Sequence, residues 1–142
     1  MTSEQKGLRL AAAMTIATGF LLAIAALPAL NLPVRLLANL LIWPFDGGES
    51  LVAAETRLPL AIGGGVMLGW GVMIWHLAGE PMQRSPDAIR AIIRTSVLAW
   101  FVADSLASVA AGAGLNVVAN GAFLALFLIP MVRGARQGSA LA

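Results

Sequence analysis

The residues best able to do chemistry in this sequence are polar side chains embedded in long apolar stretches. Asp104 is the clearest case, because it lies deep in an apolar segment with Ser108 one helical turn away on the same face. Ionisable side chains are costly to bury at membrane depth, so each marks either a functional site or an ion pair. Such an aspartate can relay a proton, line an ion path or bind the polar head of a ligand.

Further polar residues lie at a depth similar to that of Asp104 in neighbouring segments. With a helical rise of about 1.5 Å per residue, they fall within about 10 Å of the same membrane surface. We therefore predict a polar cluster in the outer leaflet, in which Arg57 pairs with Asp104 and lowers the cost of burying either charge alone. Its predicted members are Glu55, Arg57, Asp104, Ser108, Asn116 and Asn120.

This cluster has two interpretations. As a structural ion pair it fixes the register of the helices, and the Asp104→Asn substitution then lowers stability in detergent and changes nothing else. As a functional site it serves a proton, an ion or a ligand head group. Pro59 bears on the choice, because it either kinks the second helix or begins it as its first residue. In the second case Glu55 and Arg57 lie at the surface, and Asp104 keeps only serine and asparagine partners.

Residue combinations typical of enzymes and metal sites do not occur in the sequence. It has one histidine, His76, and no cysteine, and its carboxylates lack the spacing of zinc or di-iron ligands. No P-loop or dinucleotide fingerprint is present. We therefore predict no catalytic residue and no metal site. The basic residues lie at the ends of apolar segments and not in a patch with interleaved aromatics, so nucleic acid is not an expected partner.

The elements that position the polar residues have the composition of membrane spans. With 59% hydrophobic and 11% charged residues, the 142-residue chain cannot build the polar surface that a water-soluble domain needs. A helix crosses hydrocarbon in about 20 apolar residues. We predict an all-α fold, a single four-helix transmembrane domain over residues 1–142, with an amphipathic interfacial helix after the first span. The predicted helices cover about 8–30, 33–43, 51–77, 88–111 and 115–132.

The distribution of Lys and Arg predicts the orientation. These residues mark the cytoplasmic side of a membrane protein. All but Arg35 and Arg57 fall on one side if the chain crosses four times; they are Lys6, Arg9, Arg84, Arg90, Arg94, Arg133 and Arg136. We therefore expect both termini in the cytoplasm, in a bacterial inner membrane, with the first span retained as a helix.

The second span is rich in glycine, which lets another helix backbone approach closely. Gly64 and Gly71 form one stripe, and Gly65 and Gly69 form an adjacent one. Two stripes predict that this helix contacts more than one neighbour and lies at the centre of the bundle. The same stripes also suit a homodimer, or room for a flat ligand such as a quinone, a carotenoid or a lipid chain.

The overall plan resembles a known group. Four spans joined by short loops, a Gly-rich second helix opened by Glu55-Thr56-Arg57 and a third helix rich in small residues look like the DoxX-like group of small bacterial inner-membrane proteins. The resemblance implies a four-helix bundle in the inner membrane. It carries no catalytic residue to a position of this sequence.

Three function classes follow from these observations. The first is a non-enzymatic accessory, assembly or stabilising subunit of a larger inner-membrane complex, whose partners are membrane lipids and other subunits or a second copy. The second is a carrier or transporter that binds a small molecule or lipid at the polar cluster. The third is an intramembrane lipid-modifying enzyme with Asp104 or Glu55 as acid or base. No cofactor is predicted, although a bound lipid, quinone or carotenoid fits the second class.

Overall fold

A computed structural model describes residues 1–139 of the chain, and the side chains of residues 1–136. Within that range the chain is helical and contains no strand. The α-helices are α1 (Ser3–Ile24), α2 (Leu32–Leu41), α3 (Ala54–Leu77), α4 (Glu80–Arg84), α5 (Pro86–Ala110) and α6 (Asn116–Ser139). Four of them, α1, α3, α5 and α6, are long and apolar enough to cross a membrane. The predicted all-α, four-helix bundle is therefore confirmed.

Helix α1 begins earlier than hydropathy alone predicts. Thr2 caps it, because its hydroxyl oxygen accepts a bond from the Gln5 backbone N–H at 3.2 Å while the Gln5 side chain accepts one from the Thr2 N–H at 2.9 Å. This reciprocal cap places a polar first turn ahead of the apolar residues. The helix ends at Ile24, and a single 3-10 turn at Pro28–Leu30 leads into α2.

Helix α3 runs through Pro59. It begins at Ala54, where the carbonyl of Ala53 accepts a bond from the Arg57 backbone N–H at 3.3 Å. Pro59 therefore lies inside the helix and is not its first residue, although Glu55 is exposed on the first turn. A proline removes one backbone bond, and here the helix continues past it for more than four turns.

Helices α1 and α6 occupy the inner positions of the bundle. Helix α1 packs extensively against α3 and also against α6, while α5 packs on α6 and on the short α4. The main core lies between these helices and contains Leu8, Ala11, Ala12, Ile74, Ile93, Val97, Phe127 and Met131. The prediction that the second span occupies the centre is therefore wrong. Within the described part of the chain, only the Gly64 and Gly71 stripe of α3 meets a neighbouring helix, so α3 lies at the side of α1.

Helix α2 covers one end of the bundle. It is short, and it buries Val34 against Ala25 and Leu51 in a small second core. Leu36 and Leu40 remain exposed on its other side. The observed helix matches the predicted amphipathic segment within two residues at each end.

Candidate binding site

The asparagines of the predicted cluster join α6 to α5. Asn116 donates from Nδ2 to the Ser108 hydroxyl at 2.9 Å, and Asn120 donates from Nδ2 to the buried Ser105 hydroxyl at 3.3 Å. Asn116 and Asn120 are four residues apart on α6, and Ser105 and Ser108 are three residues apart on α5. The two asparagines therefore share one face of α6, and the two serines share the face of α5 opposite them. These neutral hydrogen bonds hold the two helices together near the end that α2 covers.

The predicted ion pair between Arg57 and Asp104 does not form. Arg57 instead donates from Nη1 to the backbone carbonyl of Ala26, just beyond the end of α1, at 3.4 Å. The reason is the helix arrangement: α3 packs on α1 and not on α5, so Arg57 reaches the end of α1. The carbonyls there carry partial negative charge and suit a guanidinium group. Glu55 is exposed, and neither Glu55 nor Arg57 lines a cavity that Asp104 lines.

Asp104 stands at the junction of two cavities. It is half-buried on α5, and its carboxylate has no hydrogen-bond or ionic partner among the described side chains, those of residues 1–136, or the described backbone. The first cavity, of about 600 Å³, lies between α3 and α5, and we call it the lateral groove. Its walls are Leu22, Gly63, Val66, Met67, Trp70, Ser96, Trp100, Ala103 and Asp104.

The second cavity, which we call the inner cavity, lies inside the bundle. It measures about 350 Å³ and is lined on its polar side by Thr18, Asp104, Asn116 and Asn120. Leu37 and Leu41 of α2 also line it. Leu22, Met67, Trp100 and Asp104 line both cavities, so the two adjoin each other.

The lateral groove exists because α3 and α5 scarcely contact each other. Each packs on a different helix, α3 on α1 and α5 on α6. The rings of Trp70 and Trp100 bridge the gap, with centroids 6.1 Å apart, and Phe123 and Phe127 of α6 continue the aromatic row. The groove is open at Gly63, where an added Cβ atom would meet no described atom within 4 Å.

The two glycine stripes of α3 have different surroundings. A Cβ atom on Gly64 would lie 2.4 Å from the backbone nitrogen of Ala23, and one on Gly71 would lie 2.9 Å from that of Ile16. This stripe therefore sits directly on the α1 backbone. Gly65 and Gly69 are exposed, with no described atom of another residue within 4 Å of an added Cβ. The expectation that both stripes contact neighbouring helices of the chain is corrected accordingly.

At the opposite end of the bundle the structure contains an ionic network that was not predicted from the sequence. The Glu4 carboxylate, only 6% exposed, accepts two bonds from Arg90, from Nε at 2.8 Å and from Nη2 at 2.7 Å. Arg90 also donates to Asp87 at 2.9 Å, and Gln5 donates to the Gly79 carbonyl at 2.8 Å. The capping pattern Thr2-Ser3-Glu4-Gln5 is the sequence signal that places Glu4 on a helix.

Metal ligands are not assembled in the described part of the chain. Between residues 1 and 139 no three His, Asp or Glu side chains are close enough to share a metal ion. His76 is exposed near the end of α3. What the site offers chemically is one carboxylate, several neutral donors and a wall of aromatic and aliphatic side chains.

Comparisons of the chain with known protein families, with functionally described proteins and with solved structures give no match. The topological resemblance to the DoxX-like group therefore stays a prediction.

Proposed function

We propose that the protein is a membrane-embedded binding protein or carrier for an amphipathic small molecule or lipid. The observation that carries this proposal is Asp104, which lacks a partner in the described chain and lines both the lateral groove and the inner cavity. A carboxylate held in an apolar medium is costly unless another group satisfies it. The polar head of a ligand supplies that group.

The shape and lining of the groove support this reading. A volume of about 600 Å³ lies within the range of small-molecule sites, and such sites are mostly apolar with a few convergent polar groups. The ligand head would lie against Asp104, beside Asn116 and Asn120. Its apolar tail would extend along Gly63 and Val66, where the groove opens sideways toward the surrounding lipid.

We place the protein in a bacterial inner membrane with both termini in the cytoplasm. Glu4 bonds to Arg90, and Gln5 bonds to the turn at Gly79, so the basic helix ends are gathered at one end of the bundle. Basic residues favour the cytoplasmic side. Asp104, six residues before the opposite end of α5, then belongs to the outer half of the bilayer.

Native mass spectrometry of the protein in a mild detergent tests the proposal. We expect a bound molecule in the wild-type protein and its loss in the Gly63→Leu variant, whose side chain fills the groove without meeting the backbone. The matched control is Gly65→Leu, two positions along the same helix and facing outward. The proposal is contradicted if the wild-type protein carries no bound molecule and also binds no added amphiphile.

The accessory-subunit role is the second candidate, and the outward stripe favours it. Gly65 and Gly69 leave room for the backbone of a further helix, as close membrane packing requires. If this role is correct, Gly65→Leu should disrupt the function and Gly63→Leu becomes the control. Affinity purification in mild detergent should then recover stoichiometric larger subunits with Gly63→Leu but not with Gly65→Leu.

A further inference from the structure

We infer that the site selects cations: amphipathic molecules with an ammonium head, held between the Asp104 carboxylate and the indole rings of Trp70 and Trp100. This inference rests on the proposed function and names its ligand class. It follows from the charge of the cavity lining and from the position of the two rings.

Asp104 is the one ionisable residue among the residues that line the two cavities, and it is acidic. Neither the lateral groove nor the inner cavity has a Lys, Arg or His among its lining residues. Arg57, the basic residue on the same α3 helix, is turned to the Ala26 carbonyl and lines neither cavity. The attraction between opposite charges grows as the surroundings become less polar, so a cationic head gains most here. A phosphate or carboxylate head would meet repulsion from Asp104 with no basic residue to offset it.

The aromatic wall adds a second preference for cations. Trp70 and Trp100 both line the groove, with ring centroids 6.1 Å apart and ring planes inclined by 43°. Trp100 lies one helical turn before Asp104 on α5, so the carboxylate and this indole share a face. Tryptophan is the aromatic side chain that attracts an ammonium group most strongly, within about 6 Å of the ring centroid. Both rings and the carboxylate line the lateral groove, so an ammonium head bound there can meet an indole face as well as the carboxylate.

A set of three probes with the same alkyl chain tests the inference. Hexyltrimethylammonium, hexanol and hexyl sulfate are titrated into the purified full chain in maltoside detergent, and tryptophan fluorescence is followed. We expect the cation to bind at least about tenfold more tightly than hexanol, and hexyl sulfate to bind more weakly than either. Asp104→Asn should abolish this preference, whereas the exposed Glu55→Gln control should retain it. Trp100→Phe should weaken cation binding about threefold.

A measurement on wild-type protein covers the case in which Asp104→Asn fails to fold. Dicyclohexylcarbodiimide modifies carboxyl groups in apolar surroundings, and peptide mass spectrometry locates the product. We expect hexyltrimethylammonium to slow the modification of Asp104 and hexanol to leave it unchanged. Equal rates with both probes overturn the inference.

The outcomes separate the two proposals. If hexanol or hexyl sulfate binds as well as the cation, and Gly63→Leu prevents it, the binding function stands and the cation selectivity is wrong. If no probe binds, the cation selectivity is wrong; if the purified wild-type protein then also carries no bound molecule, the binding function fails as well. Cation binding that persists in Asp104→Asn also overturns the selectivity, because the charge would then lie elsewhere.

Discussion

Gly64 of α3 and Gly19 of α1 face each other with their backbones in direct contact. A Cβ atom on Gly64 would lie 2.6 Å from the Gly19 carbonyl oxygen, and one on Gly19 would lie 2.7 Å from the Gly64 carbonyl oxygen. Close packing of this kind is a main source of helix association in membranes. Because it holds α3 tightly to α1, α3 stays apart from α5 and the lateral groove remains open.

This contact predicts opposite effects for neighbouring glycines. Gly64→Ala forces α1 and α3 apart and should lower the free energy of unfolding by about 2 kcal/mol, as overpacking does. Gly65→Ala meets open space and should leave stability unchanged or raise it by up to about 1 kcal/mol through helix propensity. Unfolding by sodium dodecyl sulfate, followed by circular dichroism, measures both. Equal effects of the two substitutions would show that α1 does not lie on the Gly64 face.

The sequence predicts the helices of this fold well and their neighbours poorly. Length and hydropathy identify four spans, because the lipid medium requires long apolar helices. A period of seven identifies the face shared by Gly64 and Gly71, but no periodicity states which helix covers that face. The inner positions of α1 and α6 therefore could not be predicted. Glu4 was missed for a related reason, since its partner Arg90 lies 86 positions away.

The same limit applies to the site, where the sequence predicts the depth of a side chain in the membrane but not the neighbour that it faces. The helical rise gives depth, and Asp104, Asn116 and Asn120 do line one cavity. The rise does not give the direction in which a side chain leaves the helix toward a neighbour. Arg57 has a suitable depth but belongs to a helix that packs on α1, so its guanidinium reaches Ala26 and not Asp104.

The bond between Glu4 and Arg90 predicts a sensitive position at the basic end of the bundle. Glu4→Gln removes one charge of a largely buried pair and should destabilise the protein by about 2 kcal/mol, because Arg90 is left partly buried without its main partner. Glu80→Gln is the control, since its pair with Arg84 is exposed and such pairs contribute little. Thermal unfolding in detergent compares the two variants. A Glu80→Gln effect as large as that of Glu4→Gln contradicts the prediction.

The proposed orientation predicts which residues reagents reach from outside the cell. The chain has no cysteine, so Ser50→Cys and Gln83→Cys each introduce one exposed thiol at opposite ends of the bundle. In intact cells a membrane-impermeant maleimide should label Ser50→Cys and not Gln83→Cys. After the membrane is opened, both should react. Labelling of Gln83→Cys in intact cells would reverse the topology and place Asp104 in the inner half of the bilayer.

Asp104 itself predicts a separation between stability and binding. A structural ion pair would make Asp104→Asn destabilising, but Asp104 has no partner among the described residues, so its neutralisation should leave the unfolding midpoint unchanged or raise it. Asn120→Ala is the comparison, since it removes the buried bond to Ser105 and should cost about 1 kcal/mol. Thermal unfolding in detergent is measured for both variants, without and with hexyltrimethylammonium. The cation should stabilise the wild-type protein but not Asp104→Asn. If Asp104→Asn instead unfolds as early as Asn120→Ala without any ligand, then the carboxylate holds the bundle together and is not reserved for a bound molecule.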